Sequence, residues 1–372
     1  MTELQLDIQI LAVIVATACA LPGTFLVLRQ MAMMSDAISH AILFGIVIAF
    51  FIVTDLSSPI LVIGAALTGL FTVWLVEVLN KSQRVHEDAA IGLVFPFLFS
   101  IGVILITRYA GQVHLDVDAV LLGEIAFAPF HRLIIGQWDL GPVATWVLAG
   151  ILVMNVLFIG LFYKELKIAT FDPALAATLG FSPVLLHYAL MALVSFTSVG
   201  AFNAVGSILV VALMVGPPAT AYLLTQRLSH MLYLSVGIGS TSSLLGYWVA
   251  HWLDVSISGA IATTIGAIFI LTFLFSPQEG YAFQLWRRRQ QKIELYIDMV
   301  LVHLLHHQHT PSEAEECHPQ HIANHLNWDE ALVQQILKKA ADQHYVRVRK
   351  GLLYLLPAGE HRAHKRLSGE VI

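Results

Sequence analysis

Charge and sulfur are what this chain has least of. Of its 372 residues only 12% are Asp, Glu, Lys or Arg, against 57% hydrophobic residues and a mean hydropathy of +0.75, a balance that excludes an ordinary soluble domain. Two cysteines, Cys19 and Cys317, are too few for a disulfide framework, and both are expected to be reduced. No G-x-x-x-x-G-K-[ST] phosphate loop occurs, so any ATP hydrolysis is expected to belong to a separate polypeptide. No Lys or Arg precedes Arg29, so the segment from Met1 to Leu28 lacks the positive n-region of a cleaved signal peptide and is expected to stay as a span.

What remains is long apolar runs. Nine are expected to cross a membrane, at about 8–28, 33–53, 59–79, 90–107, 143–162, 184–200, 205–224, 231–251 and 257–275. The sixth and seventh are separated only by AFNAV. Arg29, Lys81, Arg84, Lys164, Lys167, Arg227, Arg287, Arg288, Arg289 and Lys292 all follow odd-numbered spans, whereas Arg108 and Arg132 do not. The positive-inside rule then puts the N-terminus outside and the C-terminus in the cytoplasm.

Against that background, two polar residues stand out in MMSDAISHAILFGIVIAFFIV. Asp36 and His40 lie one helical turn apart, so both project from one face. An intramembrane carboxylate is costly to desolvate and suggests a functional site whose guest is a cation. Counting 1.5 Å per residue from Arg29 as the inner boundary places the pair near the midplane of a core about 30 Å thick. The alternatives are that Asp36 caps the second helix or pairs with Arg29, and that His40 bonds a neighbouring carbonyl.

A second polar cluster lies in the external connection YAGQVHLDVDAVLLGEIAFAPF. His114, Asp116 and Asp118 alternate with apolar residues as on one face of an extended segment, and 119–130 reads as a short helix or re-entrant piece carrying Glu124. Glu124 is a candidate metal ligand, as are His114 and Asp116, which a solvated loop would equally explain. Carboxylate and imidazole donors suit manganese, ferrous iron or zinc.

The cytoplasmic connection KELKIATFDPALAATLGFSP carries a helix signal. Asp172 is placed to cap it, Pro173 to occupy its first position, Ala176 and Ala177 to continue it, and Gly180 to end it. Such a short protruding helix is a docking element, or else an ordinary surface helix.

Near SPQEGYAFQLWRRRQQK the composition changes. Residues 1–280 hold 8 Lys+Arg and 15 Asp+Glu, and residues 281–372 hold 12 and 10 with 10 of the 17 histidines. The expected division is a transmembrane domain, 1–280, and a cytoplasmic domain, 281–372, with Arg287–Arg289 at the anionic lipid face. IELYIDMVLVHLLHHQH reads as a helix, HPQHIANHLNWDEALVQQILKKAADQH as two helices turning near Asn327–Trp328, and YVRVRKGLLYLLPAGEHR as a hairpin turning at Lys350–Gly351. That order is a winged helix. His303, His306, His307, Cys317, His318 and His321 are candidates for a regulatory metal site, or else a histidine-rich surface with no further role. Arg347, Arg349 and Lys350 on the wing are candidates for DNA phosphate contact, although Asp329, Glu330 and Asp342 dilute the charge of the would-be recognition helix.

MSDAISHAILFG, VHLDVDAVLLGEIAF, FDPALAATLG and VGSILVVALMVGPPATAYLL, in that order, resemble the signature regions of the integral membrane subunits of ABC importers for zinc, manganese and iron. The resemblance covers about 5–276, and the tail resembles metal-dependent regulators of the diphtheria-toxin-repressor type. It implies an all-α polytopic fold of the cobalamin-importer kind with a small α+β winged-helix domain, in the bacterial inner membrane. It further implies that Asp36 and His40 coordinate the transported ion, that 172–180 is the coupling helix seated in an ABC ATPase, and that Pro217 and Pro218 distort the seventh helix. The implied partners are that ATPase, a second permease copy and an extracytoplasmic metal-binding protein. The VHLDVD…GEIAF pattern resembles manganese and iron members more than zinc members. Two rival readings stay open: a proton-coupled secondary metal transporter, and a membrane-tethered metal-responsive DNA-binding regulator.

Overall fold

The computed structural model describes residues 2–53, 59–109, 125–135, 138–276, 280–349 and 351–368. The chain divides into two compact units, 1–280 and 281–372.

The first unit contains nine long helices among its described residues: α1 (Glu3–Leu28), α2 (Met34–Val53), α3 (Pro59–Lys81), α4 (Glu87–Tyr109), α5 (Val143–Leu161), α8 (Pro183–Val205), α9 (Ser207–Leu224), α10 (Leu228–Leu253) and α11 (Ile257–Phe275). Two short helices, α6 (Tyr163–Phe171) and α7 (Pro173–Thr178), link α5 to α8. Eight of the nine long helices are long and apolar enough to cross a bilayer. The other, α10, is 26 residues long, and the middle of its buried stripe, Ser235, Gly239, Ser242, Ser243 and Gly246, is polar or small between Leu228, Met231 and Leu232 at one end and Tyr247 at the other. Close helix approach accounts for that composition, since Gly239 faces Ala16 of α1 and Gly246 faces Ile261 of α11.

α1 is the axis of the unit and packs against α5, α8, α9 and α10. Buried side-chain hydrogen bonds join it to its neighbours: Asn155 Nδ2 donates to the Ala18 carbonyl at 2.8 Å and to Thr197 Oγ1 at 3.0 Å. In hydrocarbon such bonds satisfy groups that have no water partner.

α2, which carries Asp36 and His40, packs against α3, α4, α8 and α9. Its closest neighbour is α3, and Gly45 is the reason. A methyl group built there would lie 2.3 Å from Thr68 Oγ1 and 2.4 Å from the Gly64 carbonyl oxygen. A Gly45→Val chain is therefore expected to lose about 1–3 kcal/mol of stability, seen as a lower unfolding temperature of the detergent-purified protein. An unchanged unfolding temperature would show that α2 and α3 part without cost.

Two expectations need correction. The sixth span does not stop at AFNAV: α8 runs through it to Val205, because Ala, Phe, Asn and Val all continue a buried helix once packing supports it. The break comes at Gly206, whose φ of 80° and ψ of 165° suit a residue without a Cβ. The depth count from Arg29 also fails, because the chain leaves α1 at Leu28 and resumes a helix only at Met34. Asp36 lies in the first turn of α2, and His40 roughly 9 Å along the axis from its start.

α9 continues through Pro217 and Pro218. Pro218 removes the N–H that would meet the Met214 carbonyl. Gly23 of α1 sits directly over that oxygen, where a Cβ would be 1.9 Å away. Thr220 Oγ1 donates to the Gly216 carbonyl at 2.8 Å.

The connection between α4 and α5 holds, among its described residues, a structure the sequence did not announce. After a 3-10 turn, Ile125–Phe130, an antiparallel hairpin forms from β1 (Arg132–Ile135) and β2 (Trp138–Pro142). Arg132 ties it to the start of α1, 2.9 Å from Asp7 and 2.6 Å from Asp139.

The second unit runs α12 (Tyr281–His307), α13 (Glu313–Glu316), α14 (Pro319–His325), α15 (Glu330–Asp342), β3 (Val346–Arg349), β4 (Leu352–Leu355) and α16 (Pro357–Leu367). Asn327, at φ 52°, turns the chain between α14 and α15, and Arg349 pairs with Leu352 across the hairpin. Its core is Ile297, Val300, Leu301 and Leu304 of α12 against Ile322, Ile336, Val346 and Leu353. α12 begins twelve residues before the expected Ile293, and α16 was not expected as a helix, although Pro357 stands at its first turn.

Candidate functional site

The apolar run of α2 places Asp36 and His40 on one face, and the structure brings their polar atoms together. His40 Nε2 lies 3.3 Å from Asp36 Oδ1, and each side chain is 28% exposed. Asp36 stands in the first turn of α2, where unpaired N–H groups favour a carboxylate. Arg29, the alternative partner, is engaged elsewhere. The His40 ring is held by α4: its centroid is 5.5 Å from that of Phe95 and 6.5 Å from that of Phe99, the latter edge-on. One side of the pair is thus an aromatic wall, and both side chains remain partly exposed. The imidazole nitrogen and the carboxylate oxygen together offer two of the four to six donors that a first-row divalent ion takes.

Glu124, His114, Asp116 and Asp118 lie outside the described residues, as do Lys350 and the side chains of Arg288 and Arg289.

The segment between the fifth and sixth spans carries the helix read from its sequence. Asp172 Oδ1 accepts from the Leu175 amide at 2.9 Å, Pro173 opens α7, and Gly180 follows it at φ 86°. Ala176 is buried against Ala169 and Leu186, whereas Ala177 is exposed. Around it Phe171, Leu175, Leu179, Val184 and Leu185 are exposed.

Next to α7 is a cavity of about 650 Å³ whose lining includes Arg29, Met34, Glu77, Glu87, Pro173 and His187. The sequence reading missed its polar cluster. His187 Nε2 lies 2.5 Å from Glu77 Oε1, Tyr188 Oη donates to Glu77 Oε2 at 2.7 Å, and Arg29 bonds Thr170 at 3.2 Å and His187 at 3.1 Å. The rule that drew attention to Asp36 would have found Glu77, an acid inside WLVEVL, and His187, a base inside VLLHYAL. The cavity connects the root of α2, at Met34, to the start of α7, at Pro173.

In the second unit the candidate metal residues separate into two sets. His303 and His321 face Glu316, which the sequence reading passed over. Burial holds the His303 imidazole below its usual range. His306 is exposed, with Nδ1 3.0 Å from the Val302 carbonyl, and His318 Nδ1 accepts from the Gln320 amide as the cap of α14. Cys317 is fully buried in the core, where burial pushes its thiol up, so it is a packing residue. His306, Cys317 and His318 are therefore not brought together with the other two, whereas the His307 ring lies 4.7 Å from that of His303. Arg347 and Arg349 are exposed on β3.

Comparison with known proteins gives this arrangement a context. The family model described as the ABC 3 transport family matches residues 1–276. The zinc transport system membrane protein TroD of Treponema pallidum is 44% identical over 368 residues, which are 99% of this chain and 100% of TroD, so the likeness includes the tail. The manganese transport system membrane protein MntD of Bacillus subtilis is 52% identical over 268 residues, 72% of this chain and 90% of MntD. Among solved structures, PsaBC from Streptococcus pneumoniae in complex with a Fab is similar at a TM-score of 0.62 and 30% identity, over 76% of this chain and 95% of that one. Eight helices of span length and apolarity among the described residues, a paired acid and imidazole on the second, and a family match over residues 1–276 lead to one conclusion: this chain is a multi-pass membrane protein of the ABC 3 transport family.

Proposed function

We propose that this chain is the permease of an ATP-driven importer of divalent transition metal ions, manganese or iron before zinc, and that Asp36 and His40 hold the ion in transit. The observation that carries the reading is the pair itself, an acid and an imidazole 3.3 Å apart and both partly exposed. One chain presents two donors there, and a second permease copy would present the same two, giving four of the four to six that such an ion takes. MntD, at 52% identity, favours manganese over the zinc named for TroD, at 44%. An extracytoplasmic binding protein would deliver the ion, and the N-terminus lies outside, at the end of the bundle where Arg132 meets Asp7.

Energy enters from the other end. α7 is the coupling helix: its exposed Leu175, with Leu179 just after it and Phe171 before it, forms the apolar surface a separate ABC ATPase would cover. A push on α7 reaches the cavity through Pro173 and the root of α2 through Met34, which would open the pair inward. Residues 281–372 serve as a cytoplasmic winged-helix module whose role is regulatory.

The test is uptake by proteoliposomes holding the permease with its ATPase, with the metal-binding protein supplied outside. Manganese or ferrous iron should accumulate only with ATP inside the ATPase-bearing compartment. Uptake that survives removal of the ATPase would indicate a proton-coupled carrier instead.

A further inference from the structure

Three elements of the second unit bring metal-ligating side chains to one point. His303 comes from the last two turns of α12, Glu316 from the end of α13 and His321 from α14. His321 Nδ1 is 3.1 Å and His303 Nε2 3.7 Å from Glu316 Oε2, and the donor atoms of the three residues all lie within 4.8 Å of one another. In a zinc site with ligands about 2.0 Å from the ion, tetrahedral geometry puts neighbouring donors about 3.3 Å apart, so closure needs shifts of roughly 1.5 Å at most.

Glu316 Oε2 is the hub of this point: both imidazoles turn toward it, and its 3.1 Å contact with His321 Nδ1 is an ion pair without the alignment of a hydrogen bond. Two imidazole nitrogens converging on one carboxylate oxygen, all on half-buried side chains, is a donor set that a cation between them would satisfy. His303 Nε2 has a partner, the Glu316 carbonyl at 3.1 Å, which it would give up. Further imidazoles surround the point. The His325 ring is 5.4 Å from that of His303 and 5.7 Å from that of His321, and the His307 ring is 4.7 Å from that of His303.

We propose that residues 281–372 bind a divalent first-row transition metal ion through His303, Glu316 and His321, with His325 closing the shell. Two or three imidazoles and one carboxylate, without a thiolate, suit zinc, ferrous iron or manganese. The ligands come from elements separated in sequence by the turn at 308–312, so the ion clamps α14 onto α12. α12 begins at Tyr281, directly after the last residue of the membrane unit. Metal in the compartment that holds the tail would thus stiffen the helix on which the transporter ends. The site stands on the tail alone and does not require Asp36 and His40 to carry ions.

The experiment uses the full-length chain with Asp36→Asn and His40→Ala already in place, so that a failure of the transport reading leaves it untouched. The protein is loaded with zinc, dialysed against a weak chelator and its zinc counted. Roughly one zinc per chain should remain. Adding Glu316→Gln, a change that keeps shape, should remove it, and so should His321→Ala. His306→Ala, at an exposed ring outside the cluster, should keep it. No retained zinc in the chain with an intact tail, or zinc undiminished by both Glu316→Gln and His321→Ala, would overturn the site.

Discussion

Asp36→Asn is expected to lower metal uptake by more than about tenfold while leaving the amount of protein in the membrane and its unfolding temperature unchanged. Asparagine keeps the size of the side chain and removes its charge, so packing on α2 is preserved. What is lost is the anionic donor, in a place where Phe95 and Phe99 occupy one side of the pair and thin out the screening water. His40→Ala should be comparably severe, because a lone carboxylate is no longer the pair. Since the two residues act on one ion, the double variant should be no worse than the poorer single one. Losses that multiply would mean that Asp36 and His40 serve separate steps.

Arg362→Ala is expected to destabilise the second unit by about 3 kcal/mol. Arg362 of α16 reaches back to α12, 2.5 Å from Asp298 and 2.9 Å from Glu294, and donates to Tyr345 Oη at 3.1 Å. The Asp298 side chain is only 6% exposed, so removing this partner leaves a buried carboxylate with Arg366 alone, at 2.8 Å. The same network gives the unit a pH dependence. Burial alone would push the Glu294 carboxyl up, but hydrogen bonds from Lys339, Gln343 and Arg362 outweigh it and hold it down to about 2, against an ordinary value of 4.5. A carboxyl depressed in the folded state contributes stability that is complete above pH 4.5 and is lost as the pH falls toward 2. Hydrogen exchange across 281–368 in the full-length protein reads both effects. Equal protection in Arg362→Ala and the unaltered chain would show that α16 is held by its apolar contacts instead.

Much of this was legible because the membrane limits the choices. Apolar runs of span length can only be helices, so α1 to α5 fall where hydropathy puts them to within a few residues. Asp172, Pro173 and Gly180 announced α7 because each acts locally, through a side-chain cap, a fixed φ and a positive φ. The end of α8 was not legible, since AFNAV is compatible with helix and loop alike, and Gly206 rather than the polar Asn203 makes the break. Asp36 and His40 could be paired because four residues are one turn. Glu77 and His187 could be flagged singly but not joined, for 110 residues separate them and only the packing of α3 on α8 brings them to 2.5 Å. Glu316 was missed for the same reason: its neighbours in space, His303 and His321, sit on helices whose crossing no local pattern encodes.

The claim that Asp36 and His40 hold the transported ion is tested most directly by locating that ion. An anomalous difference map, collected at the manganese edge from crystals of the manganese-loaded transporter, should show a peak within roughly 2.5 Å of Asp36 Oδ1 and His40 Nε2. The same crystals with Asp36→Asn should lose it. A peak elsewhere in the membrane unit that persists in Asp36→Asn, with none at the pair, would contradict the account.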